Sequence, residues 1–345
     1  MIQSVQVLRA IACYMVVVHH ILDSLHHYVM RLEIDTIVFA SGVDVFFVIS
    51  GFIMAEVTHR RPQSAGEFLT GRFFRIAPIY YLLTVFAFLV SLSGVTIFGR
   101  SDAGVGDLLL SLSFLPIPGG DGIADPILFV GWSLNYEMMF YLVFATSMLI
   151  SGTRSPISLV ALTIVALWAA ACLMPVSVAT RFLGNPIVLE FVAGIVVWRV
   201  GRAIRPEPGG ALLILLFGLG LLASTAFLDA ETIASRRVLY FGVPAALIVY
   251  AAVCLEMPAR RSAGLLVAQG DASYSIYLVH PFALLVAGKL LLVAGLVGAF
   301  GVAGVAFVLF VCAGVAGTLF HGLVERPIAD FMKHRATAPS LSPAR

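Results

Sequence analysis

Apolar residues run along this chain in blocks of about 20, the length needed to cross about 30 Å of hydrocarbon, with short polar punctuation between them. Ten such blocks are expected to be spans, near residues 5–25, 36–57, 73–95, 131–151, 156–175, 186–203, 210–228, 237–256, 273–292 and 300–323. The stretch "DLLLSLSFLPI" (107–117) is too short to cross and reads as interfacial or re-entrant. The longest connection, about 96–130, is rich in Gly and Pro and leaves no room for a large water-exposed domain. The pattern predicts an all-α polytopic membrane protein, a bundle of about ten transmembrane helices.

Composition agrees. Of 345 residues, 60% are hydrophobic and 12% charged, and mean hydropathy is +1.02. Soluble domains carry roughly 25% charged residues. A net charge of +2 is too small to point to nucleic acid. Cys13, Cys172, Cys254 and Cys312 all lie in apolar blocks without ligand spacing, so they read as small hydrophobes, with no disulfide or metal expected. The N-terminus has no basic leader or small-residue cleavage site, which argues against a removed signal peptide.

Charge sets the orientation. With the N-terminus cytoplasmic, the inside loops and tail hold fourteen of the 21 basic residues: Arg60, Arg61, Arg72, Arg75, Arg154, Arg199, Arg202, Arg205, Arg260, Arg261, Arg326, Lys333, Arg335 and Arg345. Six fall outside: Arg31, Arg100, Arg181, Arg236, Arg237 and Lys289. The bias places both termini in the cytoplasm, with residues 1–328 as the membrane domain and 329–345 as a short polar cytoplasmic tail.

The chemistry begins in "LRAIACYMVVVHH". Arg9 and His20 are eleven residues apart, about 1,100° of helix, which is within about 20° of whole turns. They share one helix face about 16 Å apart along the axis, whereas His19 lies about 80° off that face. Asp44, Glu137 and Glu190 are each set in an apolar block, where a carboxylate costs ~2.5–3.5 kcal/mol on the lenient scale. Several such groups in one bundle imply pairing or a watered cavity. A neutral histidine beside a carboxylate suits general acid–base chemistry, and the same set suits a proton relay in a transporter. The residues alone leave both open.

In order along the chain come Arg-x10-His (Arg9, His20), "SGVDVFFVISGFIM" ending at Met54, and "FLTGRFFRIAPIYYLLT" with Arg72, Arg75 and Pro78. "GWSLNYEMMFYLVF" with Trp132, Ser133 and Glu137, "ASYSIYLVHPF" with Tyr274, Tyr277, His280 and Pro281, and "VERP" (Glu325, Arg326, Pro327) follow. These six elements, spanning about residues 2–328, resemble the integral-membrane acyltransferase-3 family, in particular its branch that O-acetylates bacterial exopolysaccharides. The resemblance implies a multi-pass enzyme of the bacterial inner membrane. It would bind no resident cofactor and no metal, take acetyl-CoA or another acyl-CoA as donor, and act on a polysaccharide or lipid-linked oligosaccharide. It further implies His20 as general base, or as an acyl-carrying nucleophile. Arg9, Glu137 and Asp44 join it in the catalytic set, a carboxylate orienting His20, and Arg72 and Arg75 hold the donor's phosphates, with a lesser claim for Arg60 and Arg61. The acceptor is expected to be handled within the membrane core or with a separate polysaccharide-assembly protein.

Other residues weigh less. Ser50 and Ser133 lack a Gly-x-Ser-x-Gly setting and read as helix-to-helix hydrogen bonders. His280, before Pro281, suits packing at a kink as well as a site role. His26, His27 and His59 read as solvated loop residues. A proton-coupled glycan exporter or flippase is the alternative. It would favour paired repeats, and no second copy of the Arg-x10-His or "GVDVFFVISGF" pattern occurs.

Overall fold

The computed structural model describes residues 2–28, 37–93, 103–120, 122–152, 155–255 and 264–337. Arg31, Arg100, Arg154, Arg260, Arg261 and Arg345 of the charge pattern lie outside these residues, and the side chains of His26, His27, Lys333 and Arg335 are outside the description.

The described chain is almost entirely helical. Its helices are α1 (Gln3–Tyr28), α2 (Ile37–Ala40), α3 (Gly42–Arg60), α4 (Ala65–Ser91), α5 (Val105–Leu112), α6 (Trp132–Ser151), α7 (Ile157–Leu173) and α8 (Val178–Leu183). They continue with α9 (Leu189–Ala203), α10 (Pro208–Ser224), α11 (Ala230–Ser235), α12 (Val243–Cys254), α13 (Gly264–Val293), α14 (Leu296–Phe320) and α15 (Arg326–Thr337). Each of the ten expected spans falls on a helix. Among the described residues, six segments are long and apolar enough to cross a membrane: Gln3–Leu25, Ile37–Arg60, Ala65–Ser91, Pro208–Phe227, Gly264–Val293 and Leu296–Met332. Ile157–Leu173 and Val238–Cys254 are shorter apolar helices. The chain is an all-α multi-pass membrane protein.

Three features are absent from the hydropathy pattern. After α5, strands β1 (Ile117–Gly119) and β2 (Gly122–Ala124) form a small antiparallel hairpin, and Ser111 Oγ ties the following loop by accepting from the Ile127 N–H at 3.1 Å. Single π-helical turns occupy Val238–Gly242 and His321–Glu325. The tail assigned to 329–345 begins inside α15.

Small residues let the central helices touch backbone to backbone, the usual solution where lipid offers no hydrophobic drive between helices. A Cβ on Gly51 would sit 2.1 Å from the Phe191 carbonyl oxygen, and one on Gly194 would sit 2.1 Å from that of Val48. Helices α3 and α9 therefore cross with no side chain between them. The "VERP" element also acts as a brace, because Glu325 Oε2 accepts from Ser275 Oγ at 2.5 Å and contacts His321 Nδ1 at 2.8 Å. That bond ties the end of α14 back onto α13.

Candidate active site

Arg9 projects from α1 and is buried. Its Nη1 donates to Gln6 Oε1 at 3.0 Å, and the Gln6 amide donates in turn to Asp271 on α13. Gln6 thus passes the influence of a carboxylate to a guanidinium that does not touch it.

Arg9 lines a cavity among α1, α3, α4, α6 and α13, with about 760 Å³ of space including its mouth. Arg75, Ser50, Glu137, Tyr141 and Tyr277 share its wall. Glu137 accepts from Tyr141 Oη at 2.5 Å and Ser50 Oγ at 3.1 Å. Ser50 and Tyr141 therefore serve as donors to a carboxylate. Arg72 lies one turn before Arg75 on α4, within electrostatic reach of Tyr141, Arg75 and Glu137. Its Nε is buried with no hydrogen-bond acceptor. Orphaned buried donors are uncommon, and here one adjoins a cavity walled by two other guanidinium groups. Tyr274 Oη donates to the Ile76 carbonyl at 2.6 Å, fixing α4 against α13 one residue from Arg75. Arg60, by contrast, pairs with Glu56, which also accepts from Trp198 Nε1 at 2.8 Å. That pairing belongs to the α3–α9 contact, and none of its members lines the cavity.

His20, on the same helix as Arg9, does not line this cavity. Its ring meets Phe129 edge-on, with centroids 5.0 Å apart, and lies nearly parallel to His280, with centroids 5.3 Å apart and planes 22° apart. Tyr277 stands between this pair and the cavity: its ring is 6.0 Å from that of His280, while its hydroxyl contacts Ser133 Oγ at 2.8 Å and donates to the Val130 carbonyl at 2.9 Å. Ser133 is thus committed to Tyr277 and to its own helix start.

Among the described residues, neither of the carboxylates expected on His20 is placed there. Among the described residues, Glu137 holds Ser50 and Tyr141. Asp44, fully buried, is gripped at both oxygens by Arg237, at 2.9 Å from Nε and 2.7 Å from Nη2. The reason is topological: the π turn that begins at Val238 carries Arg237 back into the bundle from a connection that reads as solvent-facing. Glu190 is buried beside this pair with neither oxygen hydrogen-bonded, and within electrostatic reach of Asp44 and Arg237. Sequence reasoning missed Arg237, Asp271 and Tyr141. The one available hint was the spacing of Tyr141, four residues after Glu137 and so on the same helix face. Among the described residues, no group of three or more His, Cys, Asp or Glu side chains is arranged to hold a metal.

What the cavity can do chemically is clear in outline. Two guanidinium groups on the wall, Arg9 and Arg75, with Arg72 one turn from Arg75, suit a phosphate-bearing ligand, and an imidazole pair lies behind its Tyr277 wall. Comparison with known proteins identifies the family. Residues 2–321 match the family model described as "Acyltransferase domain". The chain is 35% identical over 299 residues to the exopolysaccharide production protein ExoZ of Rhizobium meliloti (strain 1021), covering 84% of this chain and 89% of that protein. No solved structure matches. With the family model spanning nearly the whole chain and Arg9, His20, Arg72, Arg75 and Glu137 all inside the matched region, the protein belongs to the acyltransferase-3 family and is a membrane acyltransferase.

Proposed function

We propose that this enzyme moves an acetyl group from acetyl-CoA to a hydroxyl of an exopolysaccharide or its lipid-linked precursor, in the bacterial inner membrane. The observation that carries the reading is the arginine-lined cavity, with Arg72 Nε buried beside it and lacking an acceptor. The donor's phosphates would meet Arg72 and Arg75, and Arg9 lies deeper. The bias of basic residues supports ten spans with both termini cytoplasmic, which opens the arginine end to cytosolic acetyl-CoA. In that orientation His20 sits farther from the cytoplasm than Arg9, so the thioester end of the donor points toward the imidazoles. The ExoZ likeness supports an exopolysaccharide acceptor.

In the proposed step the acceptor oxygen attacks the thioester carbonyl carbon while its proton passes to His20. The carbon–sulfur bond breaks, the departing sulfur takes the proton from His20, and an ester and free CoA thiol result. The imidazole ends the cycle neutral.

The test is transfer of radiolabelled acetyl from acetyl-CoA in inverted membrane vesicles of a host making the polysaccharide, comparing the native chain with His20→Ala at matched expression. Label in glycan or lipid-linked glycan that forms at least about 100-fold more slowly with His20→Ala, while staying above an empty-vector control, is the expected result. Equal label in both would remove His20 from the reaction. No label above an empty-vector control, with folded protein and a polysaccharide known to be acetylated, would overturn acetyl-CoA as the donor to this acceptor.

A further inference from the structure

In a triad-like arrangement the imidazole that takes a proton at one nitrogen is held at the other by an acceptor, usually a carboxylate, that fixes its tautomer. Among the described residues, no hydrogen bond or ion pair joins a carboxylate to His20, and Glu137 and Asp44 are engaged elsewhere. Its ring neighbours are His19, Phe129 and His280, and of these His280 offers a bare ring nitrogen.

His280 is fully buried. Its Nδ1 lies 3.2 Å from the Ile276 carbonyl oxygen, and the ring also faces the Tyr277 carbonyl, which Pro281 leaves without its helical N–H donor. Carbonyl oxygens only accept, so the proton of His280 sits on Nδ1. Its Nε2 is then a bare acceptor, buried and without a partner. A lone pair left empty in the apolar core of a membrane protein is costly and calls for a donor. His20 supplies the candidate: its ring is nearly parallel to that of His280, 5.3 Å away between centroids. It is less buried than His280, so of the two rings it has the more room to turn.

Resting on the acetyl-transfer reading, we infer that His280 is the positioning residue for His20, its unpartnered Nε2 accepting the His20 ring N–H and thereby presenting the other His20 nitrogen, bare, to the acceptor hydroxyl. A neutral imidazole does for His20 what a carboxylate does in a triad, without placing a further charge in the bilayer. The "HP" pair in the sequence then has a joint meaning: the proline frees a carbonyl, and the carbonyls set the tautomer of the histidine before it.

The experiment uses the full chain in the labelled-acetyl assay. His280→Asn keeps an amide near Nδ1 but has nothing at the position of Nε2, whereas His280→Gln can place its carbonyl oxygen there. Asn is expected to lower kcat about 100-fold with KM for acetyl-CoA within about twofold, and Gln to recover at least about tenfold of that loss. In a His20→Ala background, His280→Asn is expected to add nothing, since a residue acting through His20 has nothing left to act on. If Asn does not yield folded protein, Gln against Met makes the same comparison in a longer side chain. Native-like kcat for Asn, equal rates for Gln and Met, or a further drop on top of His20→Ala would each overturn the inference while leaving acetyl transfer intact. Absence of transfer by the native chain would overturn both.

Discussion

Arg237 holds both carboxylate oxygens of Asp44 across 193 residues of sequence, and in doing so closes α3 against the start of α12. Asp44 is fully buried, so removing its partner would leave an uncompensated charge. Arg237→Met is expected to cost about 3–5 kcal/mol. Adding Asp44→Asn should recover most of that loss, because what destabilises is the orphaned charge. Unfolding of the full chain in detergent reads both effects. A single variant as stable as the native protein would show that the pair contributes little to the fold.

The crossing of α3 and α9 leaves no room for a methyl group. Gly51→Ala and Gly194→Ala each force a Cβ to 2.1 Å from a backbone oxygen, and backbone cannot rotate away as a side chain can. Each is expected to cost at least about 3 kcal/mol and to reduce transfer, since Ser50 on the same turn of α3 donates to Glu137. Gly220→Ala, with nothing within 4 Å of the added atom, is the matched control and is expected to gain about 0.5–1 kcal/mol. Equal unfolding temperatures for Gly51→Ala and Gly220→Ala would contradict the tight crossing.

These two cases show what was legible in the sequence. Hydrophobic blocks located every long helix, because the bilayer imposes a length that composition reveals directly. The pairing of Asp44 was not legible, since its partner lies in a connection whose π turn breaks the helical register and rotates Arg237 inward. Helical spacing put Arg9 and His20 on one face of α1, yet Arg9 lines the cavity and His20 does not. Periodicity gives direction around one helix, and the Tyr277 wall comes from another. The β1–β2 hairpin, three residues a side, is too short to leave a periodic trace.

The arginines of α4 make a prediction about the donor. A charge-assisted hydrogen bond is worth about 1.5–3 kcal/mol, so Arg75→Gln or Arg72→Gln is expected to raise KM for acetyl-CoA about 10- to 100-fold. Acetyl-pantetheine, which carries no phosphate, should show the same KM with native and variant protein. A variant that loses both donors equally would place the arginine's role in folding and not in phosphate recognition.

Glu137 supplies the last test, because its geometry differs from the orienting role that the resemblance implied. A carboxylate orienting His20 would touch it, but Glu137 instead accepts from Tyr141 and Ser50 and faces Arg9 electrostatically. The role expected for it is to balance charge near Arg9 and Arg72. Glu137→Gln preserves shape and most hydrogen bonding while removing that charge. It is expected to leave KM for acetyl-CoA unchanged or lower, since the arginines then attract the donor more strongly, and to reduce kcat about 10- to 100-fold as CoA leaves more slowly. Tyr141→Phe, which removes one donor but no charge, should have a smaller effect. The deciding measurement is a double-mutant cycle with His20→Ala in single-turnover transfer, where product release does not count. Independent sites multiply their effects, so Glu137→Gln is expected to change the single-turnover rate by the same factor in either background. Should the effect vanish once His20 is gone, Glu137 would be acting through that imidazole, and the carboxylate would have to leave Tyr141 and Ser50 during the reaction to reach it.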